Sequence, residues 1–217
     1  MIEKKTIKYY FSTEGQTEKW YLEYLENLIN SEESCNFKIS FNIKVDNPSS
    51  YIKRLNILKE TKIYHIFDVE SSEEEYEKKF TSILNEMEKS EKLGKKISYI
   101  NGYSNLTFEL WILLHKTDMN ETVGNRKNYL NKLNKFFNTK YKSLSEYKEE
   151  KHFKAILRQI SLMDVKNATK RAEKIMNTNI KNGYKEINFG KYKWYRENPS
   201  TELGNIVKEI LTKCGIL

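Results

Sequence analysis

The chain has 217 residues, a formal net charge of +8, and contents of 38% hydrophobic and 31% charged residues. This length allows a substantial core, and its longest apolar run, Leu110 to Leu114, is far too short to span a bilayer. The N-terminus lacks the apolar segment of a secretory signal, and Cys35 and Cys214 have no metal-like spacing. We therefore expect a soluble cytoplasmic protein, with free thiols and no membrane association.

Strands and helices alternate in the first half of the sequence. Aromatic and β-branched residues with strand-like patterning predict strands at 7–11, 37–45, 62–67 and 96–100. Helical periodicity and start signals predict helices at 17–29, from about Pro48, at 73–89 and at 105–114. This order predicts an α/β fold with a mainly parallel four-stranded sheet flanked by helices.

The pattern becomes mostly helical beyond residue 120. Candidate helices lie at 129–137, 152–162, 165–176 and 203–214. We therefore predict an α/β catalytic core over residues 1–120. A basic, mostly helical region over residues 121–217 is expected to pack on this core.

Acidic residues follow two of the predicted strands. Glu14 comes after the first strand, and Asp68 and Glu70 come after the third. Ends of parallel strands converge on one edge of a sheet, and clustered carboxylates there need a cation. Mg²⁺ or Mn²⁺ suits such oxygen ligands, and metal-assisted phosphoryl chemistry would be its purpose. Alternatively, Glu14 favours a helix start, and Asp68 and Glu70 belong to a solvated loop.

Glu109 lies in a segment that is apolar on nearly every helical face. A buried carboxylate is costly unless it is paired or bound to a metal. Glu109 is therefore a further candidate for the site, and a lysine partner is the structural alternative. His115 falls on a different helical face, which favours a structural or supporting role.

Three segments of the sequence resemble the RloB-like family. They are residues 14–21, 104–115 and 198–202. In addition, Glu14 with Gly15 and Asp68 with Glu70 resemble the Toprim pattern, a glutamate after one strand and Asp-x-Asp after a later one. Position 70 is Glu where Toprim proteins usually have Asp, which leaves the metal preference and the rate open.

The resemblance implies a Toprim-like, metal-dependent nuclease of bacterial antiphage defence and abortive infection. It implies metal binding by Glu14, Asp68 and Glu70, and a catalytic role for these residues and Glu109. Two further polar residues lie within the matching segments and are expected to support the site. They are Glu18 and Asn105.

Basic residues are concentrated in the second half of the chain. Residues 1–124 contain 17 Lys and Arg against 21 Asp and Glu, and residues 125–217 contain 21 against 9. This split suggests that one half holds metal and the other holds a polyanion, although a lysine-rich composition alone would also raise the net charge.

Cations and aromatic residues alternate over residues 190–196. Bases can stack on Trp194 while cations neutralise phosphates, but an edge strand with its apolar residues packed inward would look the same. A second group of cations recurs at helical spacing earlier in the chain, and we call it the helical stripe. It either faces phosphates or is a solvated helix face, and it consists of Lys166, Lys170, Arg171 and Lys174. The candidate nucleic-acid contacts are Lys170, Arg171, Lys191, Lys193, Trp194 and Arg196.

These observations predict a Mg²⁺- or Mn²⁺-dependent nuclease acting on RNA, tRNA included, or on DNA. The alternative is a non-catalytic sensor subunit that binds a nucleotide or a defence partner. An always-active nuclease would be toxic, so a regulatory partner or nucleotide signal is expected besides nucleic acid.

Overall fold

The computed structural model of the chain describes residues 4–71 and 73–217. Residues 1–3, which belong to the segment used to predict the absence of a secretory signal, lie outside this part. The strands are β1 (Thr6–Thr13), β2 (Lys38–Val45), β3 (Thr61–Asp68), β4 (Ile97–Asn105), β5 (Glu186–Phe189), β6 (Tyr192–Tyr195) and β7 (Ser200–Thr201). The helices are α1 (Gln16–Asn30), α2 (Pro48–Lys53), α3 (Glu74–Glu91), α4 (Glu109–Leu114), α5 (Lys127–Phe136), α6 (Leu144–Tyr147), α7 (Glu150–Leu157), α8 (Leu162–Lys181) and α9 (Leu203–Lys213).

The central sheet has the strand order β2-β1-β3-β4-β7. Strands β1 to β4 are parallel, and β7 pairs antiparallel with the end of β4. The mainly parallel α/β fold is therefore confirmed, but the predicted strand number of four was wrong for the described residues. Strand β7 has two residues, too few to show an alternating pattern.

Local signals explain where several helices begin. Asn47 accepts a hydrogen bond from the Ser50 N–H at 2.9 Å, and Pro48 occupies the first turn of α2. Ser161 and Asp164 form a capping box at the start of α8. Because α8 begins at this cap, the helix predicted at 152–162 is divided, and α7 ends at Leu157.

The fourth predicted helix was placed too early in the chain. Strand β4 continues to Asn105, which pairs with Ser200 of β7, and α4 begins only at Glu109. Asn105 is therefore a strand residue, whereas Glu109 lies in the first turn of a short helix.

Apolar clusters cover both faces of the sheet. The larger one includes Phe11 of β1 and also Leu133 and Ile210, which lie beyond residue 120. The smaller one includes Phe80 of α3 and Trp194 of β6. The basic region therefore packs on the sheet from both sides, and the division at residue 120 stays a prediction.

Cys35 and Cys214 are buried free thiols. Within residues 4–71 and 73–217, no helix is long and apolar enough to cross a membrane.

Candidate active site

The ends of β1 and β3 bring two of the predicted carboxylates together. The Glu14 N–H donates to the Ile66 carbonyl of β3 at 3.0 Å, and the Asp68 N–H lies 3.4 Å from Glu14 Oε2. The backbone pairing of the two strands thus fixes both residues at the carboxyl edge of the sheet.

A cleft of about 250 Å³ opens at this edge. It is lined by Glu14 and the following turn, by the end of β3, and by two cations from the basic region. Its charged lining residues are Glu14, Glu18, Asp68, Glu70, Arg126 and Lys148.

Glu18 is part of this cleft and is nearly fully buried. A Cβ atom on Gly15 would come within 2.6 Å of Glu18 Oε2, so glycine allows the backbone to lie against this carboxylate. Thr17 Oγ1 donates to the same oxygen at 3.0 Å. Burial raises the pKa of Glu18, and the charge of Glu109 adds to the rise.

Asp68 has a side chain that is only 9% exposed. Burial raises its pKa well above the usual range, and the charges of Glu18 and Glu109 raise it further. Lys148 acts in the opposite direction. Burial is thus the largest cause of the raised pKa, and Glu18 and Glu109 together outweigh the opposing effect of Lys148.

Two cations bridge the more exposed carboxylates. Lys79 of α3 places Nζ 2.7 Å from Glu70 Oε1 and 3.0 Å from Glu14 Oε1. Arg126, at the start of α5, places Nη1 3.4 Å from Glu70 Oε2 and Nη2 4.0 Å from Asp68 Oδ2. The hydrogen bond from Lys79 to Glu70 is the main cause of the raised pKa of Lys79.

Glu109 lies behind the cleft and is completely buried. Thr107 Oγ1 donates to its Oε2, and Lys148 Nζ lies 3.0 Å from its Oε1 as an ion pair without hydrogen-bond alignment. Burial alone would lower the pKa of Lys148, but Glu109 and Asp68 outweigh burial and raise it. The lysine partner considered from the sequence is therefore present.

The side chains as they stand do not surround a metal position. Within the described ranges, no group of three or more His, Cys, Asp or Glu residues is arranged to hold a metal ion. Lys79 and Arg126 lie where a cation would bind between Glu14, Asp68 and Glu70.

The chemistry of the donors nevertheless fits Mg²⁺ or Mn²⁺. The described residues place five carboxylates around three cations, so negative charge is in excess at this edge of the sheet. Carboxylate oxygens are the ligands that these hard ions prefer. The carboxylates are Glu14, Glu18, Asp68, Glu70 and Glu109.

Comparison with known protein families adds to this geometry. Residues 9–210 match the family described as RloB-like protein, which is most of the chain. The chain belongs to the RloB-like family. Neither the comparison with curated proteins nor that with solved structures gives a match.

Two polar residues of the matching RloB-like segments have structural partners. His115 is buried between Tyr21 Oη, at 3.2 Å, and the Trp111 carbonyl, at 2.9 Å, and burial lowers its pKa to about 4. Asn105 Nδ2 donates to the carbonyls of Tyr195 and Arg196 at 3.0 and 2.7 Å. His115 thus links α1 to α4, and Asn105 holds the segment after β6.

The aromatic and basic segment of the RloB-like chain forms the β5–β6 hairpin. Trp194 is 2% exposed and packs on Phe80, so it offers no face to a nucleic-acid base in this conformation. The three cations of this segment are paired with carboxylates of α3 and β5. The pairs are Lys191 with Glu91, Lys193 with Glu186, and Arg196 with Glu77. This packing favours the edge-strand interpretation over base stacking.

Some cations of the helical stripe are also engaged in contacts within the protein. Arg171 Nε donates to Asp118 at 3.1 Å, and its Nη1 donates to the Leu114 carbonyl at 2.7 Å. Lys170 is exposed. Nucleic-acid contact through these residues stays a prediction.

Sequence reasoning missed the cations of the cleft in this RloB-like protein. Lys79, Arg126 and Lys148 come from three separate elements, and no spacing marks them. The charge split was a partial signal, because Arg126 and Lys148 belong to the basic half of the chain.

Proposed function

We propose that this RloB-like protein is a metal-dependent nuclease of Toprim type that hydrolyses phosphodiester bonds in RNA or DNA. The observation that supports the proposal is the group of five carboxylates and three cations at the carboxyl edge of the sheet. The resemblance of its motifs to the RloB-like family suggests that the activity serves antiphage defence.

In this proposal, Glu14, Asp68 and Glu70 hold Mg²⁺ or Mn²⁺. The ion, when bound, polarises a phosphoryl oxygen and lowers the pKa of a bound water. Lys79 and Arg126 pair with these carboxylates in the absence of the ion, so ion binding requires both cations to move aside.

The remaining groups of the cleft bind the substrate and hold a proton. Arg126 and Lys148 line the cleft beside the carboxylates and bind phosphate oxygens, for which the guanidinium fork is well suited. Glu18, whose pKa is raised by burial, is the group that holds a proton near the reacting phosphate. Glu109 keeps Lys148 charged and in position.

The test is incubation of purified protein with labelled RNA or DNA and Mg²⁺ or Mn²⁺. Glu14→Gln and Asp68→Asn should each reduce cleavage by roughly 100-fold or more. Glu173→Gln, which removes an exposed carboxylate paired with Lys208 in α9, is the matched control and should cleave normally. Equal cleavage by wild type and both cleft variants would contradict the proposal, and the two substrates distinguish RNase from DNase.

A second candidate is a non-catalytic sensor that binds a nucleotide or a defence partner. It is favoured by Lys79 and Arg126, which already occupy the space between the carboxylates. Such a protein would bind without metal-dependent turnover. Binding that survives Asp68→Asn but is lost in Arg126→Met would favour the sensor over the nuclease.

A further inference from the structure

A second cavity lies at the opposite end of the sheet from the carboxylates. It has a volume of about 740 Å³ and is formed by the beginnings of β1, β2 and β3 with the end of α9. We call it the lysine groove. Its lysines are Lys5, Lys8, Lys59, Lys62 and Lys213.

A gap in strand pairing creates this groove. Strand β1 pairs with β2 from Thr6 onwards, but its pairing with β3 begins only at Tyr10 and Ile63. Among residues 4–71 and 73–217, the stretch Thr6–Tyr9 therefore has no ladder partner on its β3 side. Backbone groups on that side are available to a ligand.

The groove carries unbalanced positive charge. Lys62 pairs with Glu209 at 2.8 Å, and Glu60 is the other acid of the lining. The other four lysines make no ion pair with the described residues. They are Lys5, Lys8, Lys59 and Lys213. Five lysines against two glutamates leave a net charge of +3, which is matched by a polyphosphate rather than a single carboxylate.

Aromatic side chains complete the lining. Tyr10 and Phe37 are half-buried at the groove, so each still offers surface to a planar group. Tyr9 also lines it, and its buried hydroxyl has no hydrogen-bond partner in the described part of the chain. An acceptor atom of a ligand would satisfy that hydroxyl.

We propose that the lysine groove binds a nucleoside polyphosphate. The lysines and the free edge of β1 hold the phosphates, and Tyr10 or Phe37 packs on the base. The volume is in the range of small-molecule sites, roughly 300–1,000 Å³. Strands of eight residues separate the groove from the carboxylate cleft by about 25 Å, so a bound nucleotide does not reach the cleft.

The test is calorimetric titration of the full chain with ATP and GTP in the presence of a metal chelator. Wild type should bind at least one of them, and Lys8→Glu with Lys59→Glu should weaken binding roughly tenfold or more. Lys140→Glu, a reversal at an exposed lysine outside both cavities, is the matched control and should bind as wild type does. Glu14→Gln should also bind normally, which separates this proposal from the nuclease.

Hydrogen exchange provides a second measurement that does not depend on the folding of the double variant. The bound nucleotide should protect Thr6–Tyr9 in the wild-type protein. Absence of nucleotide binding, or equal binding by wild type and the double variant, would overturn the proposal. Tighter lysine-dependent binding of inorganic triphosphate, a single-stranded oligonucleotide or an acidic peptide would also overturn it, because each assigns the groove to another ligand.

Discussion

The two ends of the parallel sheet carry charges of opposite sign, which are buried at one end and exposed to solvent at the other. At the carboxyl end, Asp68 and Glu109 are buried, and their electrostatic interactions raise the pKa values of their neighbours. At the amino end, lysines surround an open groove, and the ion pair of Lys62 with Glu209 there is exposed to solvent. Burial rather than the number of charges therefore decides where a charged residue controls stability and chemistry.

The largest effect is expected from removing the partner of the buried glutamate. Lys148→Met should lower the free energy of unfolding by roughly 3 kcal/mol, because it leaves Glu109 buried without a counter-charge. The figure is the lower end for buried pairs, since Lys148 itself is one-third exposed. Urea denaturation measures the loss.

The double variant Lys148→Met with Glu109→Gln is the control for this prediction. It removes both charges and should recover most of the lost stability. A Lys148→Met protein as stable as wild type would contradict the view that the ion pair with Glu109 stabilises the fold.

Addition of Mn²⁺ should raise the free energy of unfolding through the carboxylate cleft and not through the lysine groove. At about 100 times its dissociation constant, a bound ion adds about 2.7 kcal/mol to the free energy of unfolding. Thermal melting with and without Mn²⁺ measures this gain. Asp68→Asn should abolish the gain and Lys59→Glu should keep it, whereas an equal gain in Asp68→Asn would place the ion elsewhere.

Acid should weaken the contact between α1 and α4 that His115 makes. The folded-state pKa of His115 is about 4 because burial disfavours the charged ring, against about 6.5 in the unfolded chain. This contribution is complete above the unfolded value and is lost as pH falls towards the folded value. Between about pH 7 and pH 5, the resulting loss in the free energy of unfolding amounts to about 2 kcal/mol.

The measurement is the difference between the stability–pH profiles of wild type and His115→Gln. A difference is needed because the raised pKa values of Glu18 and Asp68 act with the opposite sign and favour the folded state in acid. Parallel profiles for wild type and His115→Gln would contradict the prediction.

The sequence predicted the sheet because its strands are regular, and it failed where tertiary packing overrides local signals. Asn101-Gly102 is a turn pattern, yet it lies inside β4. A Cβ at position 102 would lie 2.4 Å from Ile66 Cδ1 and 2.9 Å from Ile206 Cδ1. The glycine therefore serves close packing between the sheet and α9, a contact that no local pattern reveals.

In the cleft, the sequence located the carboxylates but not the cations, because only the carboxylates follow directly from the strand order. Glu14 and Asp68 could be paired from the sequence because ends of adjacent parallel strands meet at one edge. Lys148 follows the four-residue helix α6, and its contact with Glu109 depends on how the basic region folds back onto the sheet. Distances between such elements follow from packing and not from spacing along the chain.

The smallest effect is expected at the amino end, and it is the direct counterpart of the Lys148 prediction. Lys62 and Glu209 approach to 2.8 Å, closer than Lys148 and Glu109, but both side chains are about half exposed. Water already solvates the two charges, so Lys62→Met should change the free energy of unfolding by less than about 1 kcal/mol. Urea denaturation at low and high salt measures this, and the small loss should shrink further as salt screens the pair. A loss as large as that of Lys148→Met would contradict the view that burial, not distance, sets the strength of these pairs.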